Sequence, residues 1–249
     1  VEIDEVAAKG FGAGAASYEA ARPGYPDEAV AILVEELGVT AGTRVCDLAA
    51  GTGKLTRRLL ELDADVVAVE PVEGMRAQLA TAVPGVDAIT GTAEAIPLPD
   101  ASVDVVTVAQ AFHWFDAPRA LREIARVLRP GGGLAILWNE RDEATPWVAE
   151  MSRLIRWHER TVSRYQHVAW AEIVAEPGCF SPLAEVRVPW DQPMTRELLA
   201  ERVRSISYIA AMPEPDRERL AAEVVGLVAR KPEPFPLPYL CRVQWAHLA

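Results

Sequence analysis

Between Thr43 and Asn139, short runs rich in β-branched residues take turns with amphipathic segments. A chain patterned this way buries its apolar surface economically as a parallel sheet covered by helices. Strands are predicted over 43–48, 65–70, 86–90, 103–109 and 133–139, with helices over 53–62, 73–82 and 117–128. Arg129, Pro130 and Gly131 to Gly133 end the last of these helices and supply the positive φ angles of a tight turn. A helix over 26–37 comes first, carrying Asp27 and Glu28 in its opening turn, where negative charge suits the helix dipole. After the alternating unit the pattern predicts a long helix over 146–167, a strand over 184–190, helices over 195–210 and 214–230, and a final strand over 239–247 at or near a sheet edge. Pro232, Pro234, Pro236 and Pro238 alternate just ahead of that strand and predict a rigid, extended connector.

Length and charge narrow the function. The 249 residues suit one α/β domain with a helical elaboration. A formal charge of −11 argues against nucleic-acid partners, which are held by clustered Lys and Arg. Arg153, Arg156, Arg160 and Arg164 have the spacing of one solvated helix face. Cys46, Cys179 and Cys241 form no CxxC pair, so neither a disulfide framework nor a metal site is expected, and a reducing cytoplasm fits. The apolar runs are too short for a membrane helix, and the acidic start Val1 to Glu5 is unlike a signal peptide. No membrane partner is expected, and the oligomeric state is left open.

The most informative stretch is Val45 to Glu70. A buried strand, Val45 to Leu48, runs through Ala49, Ala50, Gly51, Thr52 and Gly53 into a helix that starts near Lys54. Small residues let backbone amides approach a ligand at such a turn. The second strand ends in Glu70, 19 residues past Gly51, where an acid can accept both hydrogen bonds of a ribose diol. Adenosine is the expected cargo. A nicotinamide oxidoreductase would need a third glycine after Gly53, and Lys54, Leu55 and Thr56 supply none; the P-loop pattern also fails.

The segment VCDLAAGTGKLTRRLL, Val45 to Leu60, resembles motif I of class I S-adenosylmethionine-dependent methyltransferases, with Ala49 where the family usually has glycine. Glu70 in VVAVEPVEGM resembles their second motif, and GTAEAIPLP, AQAFHWF and LRPGG resemble later ones. Tyr18, RPGYP at Arg22 to Pro26, and AFHWF are most similar to the small-molecule branch that includes trans-aconitate methyltransferases. The resemblance implies a Rossmann-like α/β fold: a seven-stranded, mostly parallel sheet with an antiparallel last strand, and a helical insert over the active site. It implies one methyltransferase domain over 1–249, with an N-terminal cap at 1–40, a cofactor core at 41–140, and a substrate lid with the last two strands at 141–249. It further implies S-adenosyl-L-methionine as cofactor and S-adenosyl-L-homocysteine as product. Gly51, Gly53, Asp47 and Gln110 would lie by the methionine moiety, Glu70 would hold the ribose, and Ala49 and Ala109 would belong to the same cofactor-binding set. Pro71 and Met75 would pack near ribose and adenine, Thr92, Ala93 and Glu94 would edge the adenine, and Tyr18 and Arg22 would close the pocket.

Methyl transfer from a sulfonium needs positioning above all, so no triad or metal is demanded. If the small-molecule acceptor must lose a proton, His113 is the candidate base; its other reading is a packing residue beside Trp114 and Phe115. His158 and His167 read as surface histidines. Among the tryptophans, Trp114 is expected in the pocket and Trp157 in the core, with Trp147 and Trp170 open to either role. Arg22 and Arg141 are candidates for binding an anionic acceptor. An oxidoreductase and a catalytically silent S-adenosylmethionine-binding protein remain the alternatives.

Overall fold

The computed structural model describes residues 22–159 and 168–249. Helix α1 (Asp27–Leu37) leads into β1 (Arg44–Leu48), α2 (Lys54–Leu60), β2 (Asp65–Val69), α3 (Glu73–Ala82), β3 (Asp87–Ile89) and β4 (Val103–Ala109). A short 3-10 turn, Phe112–Trp114, precedes α4 (Ala117–Val127) and β5 (Leu128–Arg141). The chain then adds α5 (Pro146–Leu154), α6 (Trp170–Ala175), β6 (Ala184–Met194), α7 (Arg196–Arg204), α8 (Ser207–Ala210), α9 (Glu214–Gly226) and β7 (Phe235–His247).

Seven strands form one sheet in the order β3-β2-β1-β4-β5-β7-β6. Strands β1 to β5 pair in parallel, and β7 is antiparallel to both β5 and β6. The order reverses direction at β1, so β1 and β4 flank the switch point where open α/β sheets bind ligands. One face buries Cys46, Val67, Val106 and Ile136 with Leu121 and Ile124 of α4 and Trp170 of α6. The other buries Val45, Val66, Val105 and Leu137 against Val30 and Leu33 of α1 and Leu55 and Leu59 of α2. A third cluster joins α5, α7 and α9 through Met151, Leu199, Val203 and Val224 to Phe235, Leu237 and Tyr239 at the start of β7. No helix of the described residues is long and apolar enough to cross a membrane.

Several expectations are corrected. The helix read over 146–167 stops at Leu154, because Arg156 takes φ 54 and the chain turns into a 3-10 segment, Trp157–Glu159, that tucks Trp157 beneath Arg141. Residues 160–167, with Arg160, Arg164 and His167, lie outside the described residues. Arg153 and Arg156 pair with Glu150 and Glu159 on an exposed face. The helix read over 195–210 is two, broken at Ser205 and Ile206. Arg129 to Gly132 form an irregularity inside β5, where the register steps from Val103↔Leu128 to Val105↔Gly133. The last strand does lie near the edge, as expected, one place in from β6. It begins at Phe235, so Pro236 and Pro238 belong to it. They sit on alternate residues past the last β5 partner, Arg141↔Tyr239, so the side that lacks N–H groups faces no strand.

Candidate active site

β1 delivers the chain to the carboxyl edge of the sheet at Leu48, and five small residues turn it into α2. Ala49, Gly51 and Gly53 all take left-handed backbone, with φ of 55, 59 and 84. The Gly51 N–H donates to Glu70 Oε2 at 3.0 Å, and the Val72 N–H donates to Glu70 Oε1 at 2.8 Å. Glu70 therefore ties the glycine turn to the loop after β2. Each carboxylate oxygen has two acceptor sites, so each keeps one for a ligand. Burial pushes the Glu70 pKa up, against the two backbone N–H bonds and nearby Arg76, which pull it down.

This carboxylate sits in the wall of a cavity of about 340 Å³ that spans the carboxyl ends of four neighbouring strands, β2, β1, β4 and β5. At the β2 end the walls are Pro71, Met75 and the loop residues Thr92, Ala93 and Glu94. Ala49 and Gly51 line the middle with Ala109 and Gln110 from the end of β4. Gln110, like Ala49, holds a left-handed φ, of 60, so two non-glycine residues are strained at the switch point. Such strain costs about 1–3 kcal/mol each and gathers at functional sites. At the β5 end the walls are Arg22, Tyr25, Trp114, Phe115, Asn139 and Arg202.

Three residues expected at the ligand stand behind the wall. Asp47 is 1% exposed and accepts from the hydroxyls of Thr56 and Thr107. It braces β1 against α2 and β4; burial lifts its pKa to about 6. Thr56, at the position of the oxidoreductase pattern's third glycine, is committed to that buried bond. Gly53 faces α3, since a Cβ there would stand 3.0 Å from Val83 Cγ2 and 3.1 Å from Leu79 Cγ. His113 is absent from the cavity wall; its ring packs 4.6 Å from that of Trp114 and 5.6 Å from that of Trp138, and burial lowers its pKa to about 4. It matches the packing reading better than the base reading. Tyr18 lies outside the described residues.

Trp114 lines the cavity and is 38% exposed. Trp170 is buried and stacks on Trp138, while Trp147, edge-on to Phe235, and Trp157, under Arg141 at 4.4 Å, are half-buried against the core; none of the three lines the cavity. Arg141 is directed to Ser152 and away from the cavity. His158 is exposed and joined to Glu143. Sequence reasoning missed Asn139, whose amide donates to Gly24 O and accepts from Trp190 Nε1, and Arg202 on α7.

This arrangement matches known proteins. Residues 46–136 match the family described as "Methyltransferase domain". An uncharacterized methyltransferase of Mycobacterium tuberculosis (strain ATCC 25618 / H37Rv) is 43% identical over 222 residues, covering 89% of this chain and 86% of the relative. The chain belongs to the methyltransferases. A solved putative methyltransferase from an antibiotic biosynthesis pathway of Anabaena variabilis shares the fold with a TM-score of 0.65 at 22% identity, over 90% of this chain and 98% of that one. The phosphoethanolamine N-methyltransferase 2 of Haemonchus contortus, solved with phosphomonomethylethanolamine and S-adenosylhomocysteine, does so with 0.57 at 18% identity, over 93% of this chain and 56% of that one. Membership sets aside the oxidoreductase alternative.

Proposed function

We propose that the chain transfers the methyl group of S-adenosyl-L-methionine to a small-molecule acceptor by in-line displacement, releasing S-adenosyl-L-homocysteine. The observation that carries this reading is Glu70: a buried carboxylate fixed by two backbone N–H groups, with acceptor sites to spare, in the cavity that also holds the Ala49–Gly51 turn. Those spare sites fit a ribose diol. Pro71 and Met75 offer an apolar seat beside it, Thr92, Ala93 and Glu94 an adenine edge, and Ala49, Gly51, Ala109 and Gln110 a narrow passage for the methionine moiety. Arg22 closes the site from the amino side.

The bound cofactor supplies a methyl group already activated by positive sulfur. The chain's own residues have two tasks. They hold the acceptor in line, which is worth about 7–11 kcal/mol when well achieved, and Tyr25, Trp114 and Phe115 exclude competing water. Bond formation from the acceptor's lone pair breaks the methyl–sulfur bond, and any acceptor proton leaves to solvent. This reading gives His113, whose ring packs against Trp114 and Trp138, a packing role rather than that of base. The same reading treats 1–249 as one domain with cap, core and insert at 1–40, 41–140 and 141–249. It places the protein in the reducing cytoplasm, in keeping with the free thiols of Cys46, Cys179 and Cys241.

Calorimetric titration with S-adenosylmethionine, S-adenosylhomocysteine and NAD tests the cofactor. The first two are expected to bind; NAD binding in their place would overturn the reading. Transfer of labelled methyl across small acids, phenols and amines then separates an enzyme from a silent binder.

A further inference from the structure

The sequence of α7, RELLAERVR, reads as a charged surface helix, yet one of its arginines is inside. Thr195 caps the helix by accepting from the Leu198 N–H, and this sets the face on which Leu199, Arg202 and Val203 are buried together. The other arginines of α7 point out and are paired, Arg196 with Glu233 and Arg204 with Glu201 and Glu218. Arg202 is 5% exposed and lines the cavity, and its Nε and Nη1 have no hydrogen-bond partner among the described residues. A guanidinium stays charged at any accessible pH, so burying it unpaired is costly unless an anion completes the site.

Neither carboxylate of the same cavity reaches the Nε or Nη1 of Arg202. Glu70 takes the backbone N–H groups of Gly51 and Val72, and Glu94 takes that of Asp116. Position separates Arg202 from the expected ribose seat. Glu70 follows β2, whereas Arg22, which lines the cavity with Arg202, reaches the carbonyl of Ser205 at the end of α7. The Arg22–Tyr25 segment is in turn tied to Asn139 of β5 through Gly24. Strands β2 and β5 are three places apart, about 14 Å at the usual spacing.

We propose that Arg202 recognises a carboxylate on the methyl acceptor, making the enzyme selective for a small organic acid whose apolar body lies against Trp114 and Phe115. The proposal rests on the methyltransferase reading above and refines it. A planar carboxylate matches the two free N–H directions of a guanidinium, and the aromatic wall suits an aryl or alkyl remainder.

The test uses the full chain saturated with S-adenosylhomocysteine, titrated calorimetrically with benzoate and with benzamide as a neutral match. Benzoate is expected to bind at least about tenfold more tightly. R202M should abolish that preference and leave S-adenosylhomocysteine affinity unchanged, while R202K keeps part of the preference. Because R202M removes a buried, unpaired charge, its ligand-free melting temperature should equal or exceed that of the parent. Equal binding of the two probes would overturn the proposal. So would a loss of S-adenosylhomocysteine affinity in R202M, which would assign Arg202 to the cofactor's own carboxylate. A destabilised R202M with benzoate selectivity intact would make Arg202 structural. Failure of the parent chain to bind S-adenosylhomocysteine would instead sink the methyltransferase reading itself.

Discussion

Gly53→Ala separates a glycine that the fold needs from one that the ligand needs. Gly53 has φ 84, a left-handed conformation that costs an L-residue about 1–2 kcal/mol. Its new methyl group would meet Val83 Cγ2 at 3.0 Å and Leu79 Cγ at 3.1 Å, and both neighbours are buried and have little room to yield. Overpacking of this kind adds about 1–3 kcal/mol, so the loss should total about 2–5 kcal/mol. For a chain of this size that lowers the melting temperature by roughly 5–20 °C. Gly51→Ala is the control. Its φ of 59 carries a similar backbone cost, but a Cβ there meets nothing within 4 Å and projects from a residue that lines the cavity. Urea unfolding monitored by circular dichroism, with calorimetry of S-adenosylhomocysteine on folded protein, reads the two effects apart. G53A should be much less stable with binding within about threefold of the parent, and G51A mildly destabilised with binding weaker by about tenfold or more. A G53A protein of parental stability that binds poorly would refute the reasoning.

Three further perturbations address the remaining buried groups. Glu70→Gln should weaken S-adenosylhomocysteine binding by about 1–3 kcal/mol. Burial raises the Glu70 pKa, so parental affinity should fall on acidification from above the usual glutamate value, while E70Q stays flat; a flat parent would place the ribose elsewhere. Asp47 binds its proton more tightly folded, with a pKa of about 6, than at its ordinary 3.8, so its contribution to stability falls as pH rises through that interval and stays low above it. Relative to the parent, D47N should gain about 2 kcal/mol between pH 4 and pH 7, read as the difference of two unfolding curves; parallel curves would contradict the burial of that charge. His113→Phe should leave methyl transfer within about tenfold of the parent, whereas a loss of 10²–10⁴ would restore His113 as the base.

What the sequence made legible was set by short-range pattern. Val45–Leu48 and Val66–Val69 announce themselves because both faces of a central parallel strand are buried, and Gly51 with Glu70 marks the turn and the acid on the same sheet edge. The role of Gly53 was not legible, because the contact that requires it comes from Leu79 and Val83, a whole strand and helix later. His113 looked equally apt as base or filler until Trp138, from β5, was seen to cover it. Arg202 was hidden for the opposite reason. Its neighbours Glu201 and Arg204 make the helix look solvated, and only the Leu199 and Val203 positions hint that it shares their inward face. Asn139 passed as the end of a strand, since its partners Gly24 and Trp190 lie 115 residues before it and 51 after it.

The insertion of β7 between β5 and β6 also bears on the order of assembly. Both neighbours of β7 are synthesised before it, so the open edge of β5 must wait for the last described strand. Strands β1 to β5 and their turn can form from nearby segments. The cluster that seats α7 includes Phe235, Leu237 and Tyr239, and it cannot close until they emerge. Long-range pairing of this kind is slow and leaves an unpaired edge exposed meanwhile. The glycine turn thus rests on segments close together in the chain, whereas the cluster that seats α7 depends on residues of the last described strand.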